Sequence, residues 1–280
     1  MNIYKLKGKF QSIAIYIVLI ICLFFILGPL YFVVINSFKP FKEIVTSFIN
    51  WPQSFYWYNY PEAWQKAGYL DAFRNSLAIT VGSVIGIIIV SSMAAYKLAR
   101  VKTKLSFVFY IYFVFSLTIP FSVVMIPMTI IANAVQINRS IIGLCIIYWG
   151  MGSSFSIFLY HGFIKGIPLD IEESAQIDGC GPFRLFYAIV FPLLKPITST
   201  VTVLQALYIW NDFMLPLTLM GTRKELRTLP LAQYRFYGEF NAQWNYALAS
   251  VVIGTIPLLI FFILMQKYII KGIVEGAVKG

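Results

Sequence analysis

The sequence predicts an all-α, polytopic membrane protein with six transmembrane helices. Both termini are expected in the cytoplasm, with a short cytoplasmic helix between the fourth and fifth spans. Three observations carry this expectation. The 280 residues are 59% hydrophobic and only 12% charged, with a mean hydropathy of +0.78, whereas a soluble domain is about one quarter charged. Six apolar runs are each long enough to cross a bilayer, which takes roughly 20 helical residues. The basic residues gather at the ends of those runs, where they set orientation. The net charge of +11 is therefore not a nucleic-acid-binding stripe, and no nucleic-acid partner is expected.

The runs lie at about 13–35, 75–98, 105–132, 141–163, 197–220 and 247–270. The first follows Lys5, Lys7 and Lys9 and is too long for a signal-peptide core. Leu19-Ile20-Ile21-Cys22 faintly resembles a lipoprotein cleavage site, but bulky isoleucines and the continuing apolar run favour a span. Residues 36–70 are polar and aromatic, with Trp51, Tyr56, Trp57, Tyr58, Tyr60 and Trp64. Such rings suit either the headgroup level or a docking surface for a partner outside the membrane. The chain accordingly divides into 1–70, comprising arm, first span and external loop, and 71–280, a core of five spans.

Thirteen of the 22 Lys and Arg residues fall on one side: the N-terminal arm, Lys97 to Lys104, Lys165 to Lys195, and Lys267 to Lys279. The other nine are spread through longer loops. The positive-inside rule makes the denser side cytoplasmic. Pro120, Pro127, Pro216 and Pro257 interrupt spans and are expected to kink them. Gly82, Gly86, Gly150, Gly152, Ser153, Ser154 and Ser156 permit close helix approach. Cys22, Cys145 and Cys180 are too scattered for a disulfide or metal site to be expected, and His161 reads as an interfacial residue.

Residues 164–196 are the longest stretch past residue 100 that is too polar for lipid. Pro168 ends what precedes it. Asp170 can cap a helix whose Glu173 reaches back in a capping box. Ile171, Ala175 and Ile177 give this helix, at about 169–179, an apolar side, and Gly179 can end it through positive φ.

The same stretch resembles a motif of ATP-binding-cassette (ABC) importer permeases: Glu-Ala-Ala, three residues, Gly, nine residues, Ile-x-Leu-Pro. Here Glu173-Ser174-Ala175 precedes Gly179, then Ile189, Phe191 and Pro192 at that spacing. Ser174 and Phe191 are mild departures. The wider run from Ile167 to Gly179 resembles the carbohydrate uptake type 1 branch, near the smaller maltose permease. Asn75-Ser76-Leu77, Ala94 to Arg100, Trp210-Asn211-Asp212-Phe213, Thr228-Leu229-Pro230-Leu231 and the closing Gly276-Ala277-Val278-Lys279-Gly280 fit it in order.

The resemblance implies a coupling helix that seats in a cytoplasmic ATPase, with Asp170, Glu172, Glu173, Ser174, Ala175, Asp178, Gly179 and Pro192 as coupling residues. It also implies a second permease subunit in a heterodimer, two ATPase domains, and an extracytoplasmic sugar-binding protein or lipoprotein, all beside membrane lipid. The sequence lacks the Gly-x-x-x-x-Gly-Lys-[Ser/Thr] phosphate loop, so ATP and Mg belong to the partner ATPase. No cofactor or metal is expected in this chain, and it is expected to be a transport subunit rather than an enzyme.

On the fifth span, Thr198, Thr202, Gln205, Tyr208 and Asp212 recur every three or four residues and share one helix face. A polar face in lipid is costly, so it should line the bundle interior or a cavity. Thr202, Gln205, Tyr208, Asn211 and Asp212 are thus candidates for a pathway suited to a neutral sugar; interhelical hydrogen bonding is the competing role. Asp212 could also be a helix-end charge paired with Arg223 or Arg227. The loop at 221–246 offers Tyr234, Tyr237 and Trp244 as binding-protein contacts, or as an interfacial loop. A phosphorylated cargo such as glycerol phosphate would want Arg74 or Arg139 turned inward. An ion-coupled secondary transporter would want more than the one acidic residue, Asp212, within its spans.

Overall fold

A computed structural model describes residues 3–221, 223–238 and 242–277, with side-chain surroundings from 15 to 266 apart from Lys224. The residues after Ala277 in the expected tail, and the side chains of the terminal lysines, lie outside that range. Every regular element among the described residues is helical: α1 (Ile3–Ser37), α2 (Phe41–Thr46), α3 (Asn59–Ala67), α4 (Tyr69–Arg100), α5 (Lys104–Ser116), α6 (Phe121–Ala134) and α7 (Ile141–Lys165). Then follow α8 (Asp170–Ile177), α9 (Pro182–Arg184), a π-helical turn (Leu185–Val190), α10 (Phe191–Leu193) and α11 (Lys195–Asn211). The last are α12 (Met214–Met220), α13 (Leu229–Tyr234) and α14 (Trp244–Ala277).

Four single helices are long and apolar enough to cross a membrane: Ile15–Ser37, Tyr69–Arg100, Ile141–Lys165 and Trp244–Gln266. Two more candidates are bent pairs. α5 and α6 meet at 107°, and the Pro182–Leu193 segment meets α11 at 77°, so four to six crossings are available. The expected third span is thus not one straight helix. Ile119 precedes Pro120, whose ring disfavours helical geometry at the residue before it, and Pro120 becomes the cap of α6. The expected fifth span, 197–220, is likewise broken at Asp212, whose extended backbone separates α11 from α12.

The chain forms two compact units. One joins the residues up to Ala67 with Gln233–Ile256; the other joins Gly68–Ala232 with the chain from Pro257 on. The first unit is therefore discontinuous in sequence.

The first unit is knit by polar groups. Lys39 is fully buried and donates to the carbonyls of Ser47, Phe48 and Asn50. Asn59 donates to the carbonyls of Ser37 and Lys39 at 2.9 and 2.8 Å and accepts from Asn245 at 2.9 Å. Phe38 packs edge-on against Trp57 with ring centroids 4.7 Å apart. Trp51, Trp57 and Tyr58 remain exposed.

The second unit is built on α4 and α7, which make its most extensive contact. Small residues set their approach. A β-carbon on Gly86 would collide with the Trp149 indole, and one on Gly152 with Ile87. Thr103 caps α5 by accepting from the Ser106 N–H, and Ser140 caps α7 by accepting from the Gly143 N–H, each satisfying an otherwise orphan donor. His161, expected at an interface, is buried and stacks on Tyr110 with centroids 3.8 Å apart.

Candidate functional site

α8 begins one residue earlier than its capping pattern suggests. Leu169 occupies the cap position without a side-chain bond, and Asp170 is already helical. The capping box of Asp170 and Glu173 does not form. The backbone supplies the reason: the Leu169 carbonyl receives the N–H groups of Glu172 and Glu173 at 2.8 and 3.0 Å, and the Ser174 hydroxyl returns to the Asp170 carbonyl at 2.7 Å. The three carboxylates in the first turn, Asp170, Glu172 and Glu173, still complement the positive end of the helix.

The C-terminal end is as expected. Gly179 has φ +79°, the Gly179 N–H reaches the Gln176 carbonyl, and the Cys180 N–H reaches the Ala175 carbonyl, both at 3.0 Å. This is a Schellman motif, for which glycine is the favoured residue.

The inner side of α8 differs from the apolar one expected. Ala175 is buried, but its companion is Glu172, 3% exposed, while Ile171 is exposed and Ile177 is 86% exposed. Glu172 accepts from the Tyr96 hydroxyl at 2.8 Å and from Arg100 Nε at 2.9 Å. Arg100 also donates to the Ile167 carbonyl at 3.0 Å. Asp170, Glu173, Ser174, Asp178, Gly179 and Pro192 all lie exposed. Neither Tyr96 nor Arg100 is a candidate site residue in the sequence reading; Arg100 serves there as an orientation signal, and both belong to a run that fits the family. An arginine closing an apolar helix looks like an orientation signal until a carboxylate 72 residues away is placed beside it.

The fifth-span residues separate. Gln205 and Tyr208 line a cavity of about 340 Å³ with Met151, Gly152, Phe155 and Leu204. Gln205 is 5% exposed and donates to the Gly152 carbonyl and the Ser156 hydroxyl, both at 3.1 Å; Tyr208 is 50% exposed. Thr202 instead lines a second, mostly apolar cavity of about 480 Å³ with residues of α4 and the later half of α14. Asn211 is exposed and turns back to the Leu207 carbonyl.

Asp212 accepts from the Tyr148 hydroxyl at 2.9 Å, and its other oxygen accepts the N–H groups of Met214 and Leu215. It caps α12 while binding α7. Arg74 is exposed 4.0 Å from Asp71, and Arg139 is exposed; neither lines the Gln205 cavity. In the first unit, Tyr234, Tyr237 and Trp244 are exposed, with Tyr237 edge-on to Trp244 at 5.7 Å.

The model of the family described as "Binding-protein-dependent transport system inner membrane component" matches residues 82–275, which include α8 and the whole Gln205 cavity. The chain belongs to this family. It is a multi-pass transport component of the membrane, not an enzyme, and its family works with binding proteins.

The relatives agree along nearly the full length. The chain is 41% identical over 254 residues to the probable starch degradation products transport system permease protein AmyC of Thermoanaerobacterium thermosulfurigenes, covering 90% of this chain and 92% of that one. It is 35% identical to the multiple sugar-binding transport system permease protein MsmG of Streptococcus mutans, covering 98% and 100%. It is 34% identical to the melibiose/raffinose/stachyose import permease protein MelC of Bacillus subtilis, covering 94% of each. The fold matches a chain in the crystal structure of a bacterial ABC transporter involved in import of the acidic polysaccharide alginate, with TM-score 0.80 and 20% identity, over 94% of this chain and 97% of that one.

Proposed function

We propose that this chain is one permease half of an ATP-driven, binding-protein-dependent importer of oligosaccharides. The observation that carries the reading is full-length similarity to permeases named for starch products, multiple sugars and raffinose-type sugars. The bent pairs count as spans in this reading, giving six crossings with both termini and α8 in the cytoplasm. α8 is the coupling helix. Its outward side presents Asp170, Glu173, Ser174, Asp178 and Ile177, an acidic surface with Ile177 as its most exposed apolar group, to a partner ATPase that binds ATP and Mg. Glu172 and Ala175 face inward and hold the helix rather than touch the ATPase.

The Gln205 cavity is the sugar-pathway wall contributed by this half; a second permease supplies the rest. Half-exposed Tyr208 offers a ring and hydroxyl to a neutral sugar, and the cavity lining contains no basic residue, which disfavours a phosphorylated cargo. Tyr234, Tyr237 and Trp244 face the sugar-binding protein. The test is purification of the tagged chain in mild detergent. A second permease and an ATPase should accompany it, and Ile177→Glu with Glu173→Arg should lose the ATPase alone. Recovery of the unaltered chain without either partner would contradict the reading.

A further inference from the structure

Glu172 is held on both oxygens. One accepts from the Tyr96 hydroxyl at 2.8 Å; the other faces Arg100, with Nε at 2.9 Å and Nη2 at 2.6 Å. The side chains of Arg100 and Glu172 are 14% and 5% exposed. Tyr96 and Arg100 lie four residues apart on the last turn of α4, so they share a face. Arg100 also binds the Ile167 carbonyl at 3.0 Å, just ahead of α8. The first turn of α8 and the chain entering it are thereby fastened to the end of α4.

The other end of α8 is held differently. It leaves through Gly179 at φ +79°, passes Gly181, and enters a π-helical turn before the 77° bend into α11. Glycine allows backbone movement that other residues resist, and π-helical turns are the irregular part of a helix. One attachment is a buried, charge-assisted set of bonds; the other is a glycine-flanked turn leading to the π-helical segment, which packs back on α8 and sets Phe186 against Tyr96 with centroids 5.4 Å apart.

We infer that Glu172 and Arg100 form the joint through which a load on α8 enters the bundle by way of α4, with Tyr96 orienting the carboxylate. The inference rests on α8 being the ATPase-coupling helix. Apolar packing could hold two helices together at least as stably, because burying an ion pair carries a large desolvation cost. What the pair adds is geometry. A carboxylate engaged by a guanidinium through two nitrogens, and by a phenol on its far oxygen, has one orientation, whereas an apolar contact can slide. α4 then packs against α7 through Gly82, Gly86 and Trp149, and α7 bears Gly152, which is bonded to Gln205. A displacement of α4 therefore reaches the wall of the Gln205 cavity through rigid contacts. Glu172 and Arg100 are positioning residues; neither touches cargo nor nucleotide.

The test uses the assembled transporter in liposomes. With spin labels at Gln176→Cys, exposed on α8 outside the docking residues, and at Lys97→Cys, the α8–α4 distance should be the same without nucleotide and with ATP trapped. With labels at Gln176→Cys and Ser199→Cys, the distance should change. A shift in the first pair as large as in the second would overturn the joint. In a second arm, Glu172→Gln keeps the shape and an acceptor but loses the charge. The ATPase should co-purify in wild-type amounts, while sugar transported per ATP hydrolysed falls roughly 2- to 30-fold, the range for residues that modulate coupling. The double change Glu172→Arg with Arg100→Glu should recover part of that ratio. A purely structural role would lower assembled complex and transport together and leave the ratio unchanged, which would also overturn the joint. Failure of the unaltered chain to capture an ATPase would instead overturn the reading of α8, and the joint with it.

Discussion

Trp149 donates its indole N–H to the Gly82 carbonyl at 3.0 Å, and the same ring fills the space that a β-carbon on Gly86 would need. Two glycines one turn apart on α4 thus receive one large side chain of α7. In a bilayer, where lipid is as apolar as leucine, such close packing replaces the hydrophobic effect as the force between helices.

Gly86→Leu should therefore destabilise the fold by about 1–3 kcal/mol, the usual cost of overpacking. Gly150→Ala and Gly162→Ala, where a β-carbon meets nothing within 4 Å, should be tolerated. Thermal unfolding of the detergent-solubilised protein distinguishes them; equal losses for all three would refute the packing account.

Gln205 and Tyr208 should respond differently although both line one cavity. Gln205→Leu removes two interhelical bonds and should lower stability by about 1 kcal/mol, typical of such bonds in membranes. Tyr208→Ala, at a half-exposed position, should leave stability within about 0.5 kcal/mol and alter the relative uptake of different sugars. Unchanged sugar selectivity in Tyr208→Ala would remove that ring from the pathway.

The Tyr246 hydroxyl, with help from Lys66, holds the Glu62 carboxyl below its ordinary value of 4.5. An acid with a lowered folded pKa stabilises its contact fully above the ordinary value and loses that contribution as pH falls through the lowered one. The α3–α14 contact should thus hold at pH 7 and weaken only below the ordinary carboxylate range, as pH falls through the lowered value. Hydrogen exchange in α3, corrected for intrinsic rates, should show this acid opening, and Tyr246→Phe should move it to higher pH. An identical pH profile for Tyr246→Phe would contradict the assignment.

Lys39 is buried with carbonyl acceptors at Ser47, Phe48 and Asn50. Lys39→Met strands those acceptors at about 1–3 kcal/mol for each unsatisfied group. Limited proteolysis should then cut residues 40–57 faster. Unaltered cleavage would show that Phe38 and its aromatic neighbours order this loop without the lysine.

Much of this was legible in the sequence because it depends on local chemistry. The apolar runs, the Gly179 turn and the Glu173-to-Pro192 spacing are short-range patterns, and they pointed to the family. The break at Asp212 was legible only in part. A helix-end charge was one of its two readings beside a pathway residue, but its bonds to the first N–H groups of α12 and to Tyr148 depend on where α7 lies. Thr202 was grouped with Gln205 by helical periodicity, yet it sits at the edge of that face and lines the other cavity. The inner side of α8 was misread for the same reason: Glu172 looks like a solvated carboxylate until Tyr96 and Arg100 are brought to it.

The most direct measurement is uptake into proteoliposomes containing this chain, its partner permease, the ATPase and the binding protein, with ATP inside or omitted. The account predicts oligosaccharide accumulation that requires both ATP and the binding protein and disappears without this chain. Accumulation at the same rate without ATP would contradict it.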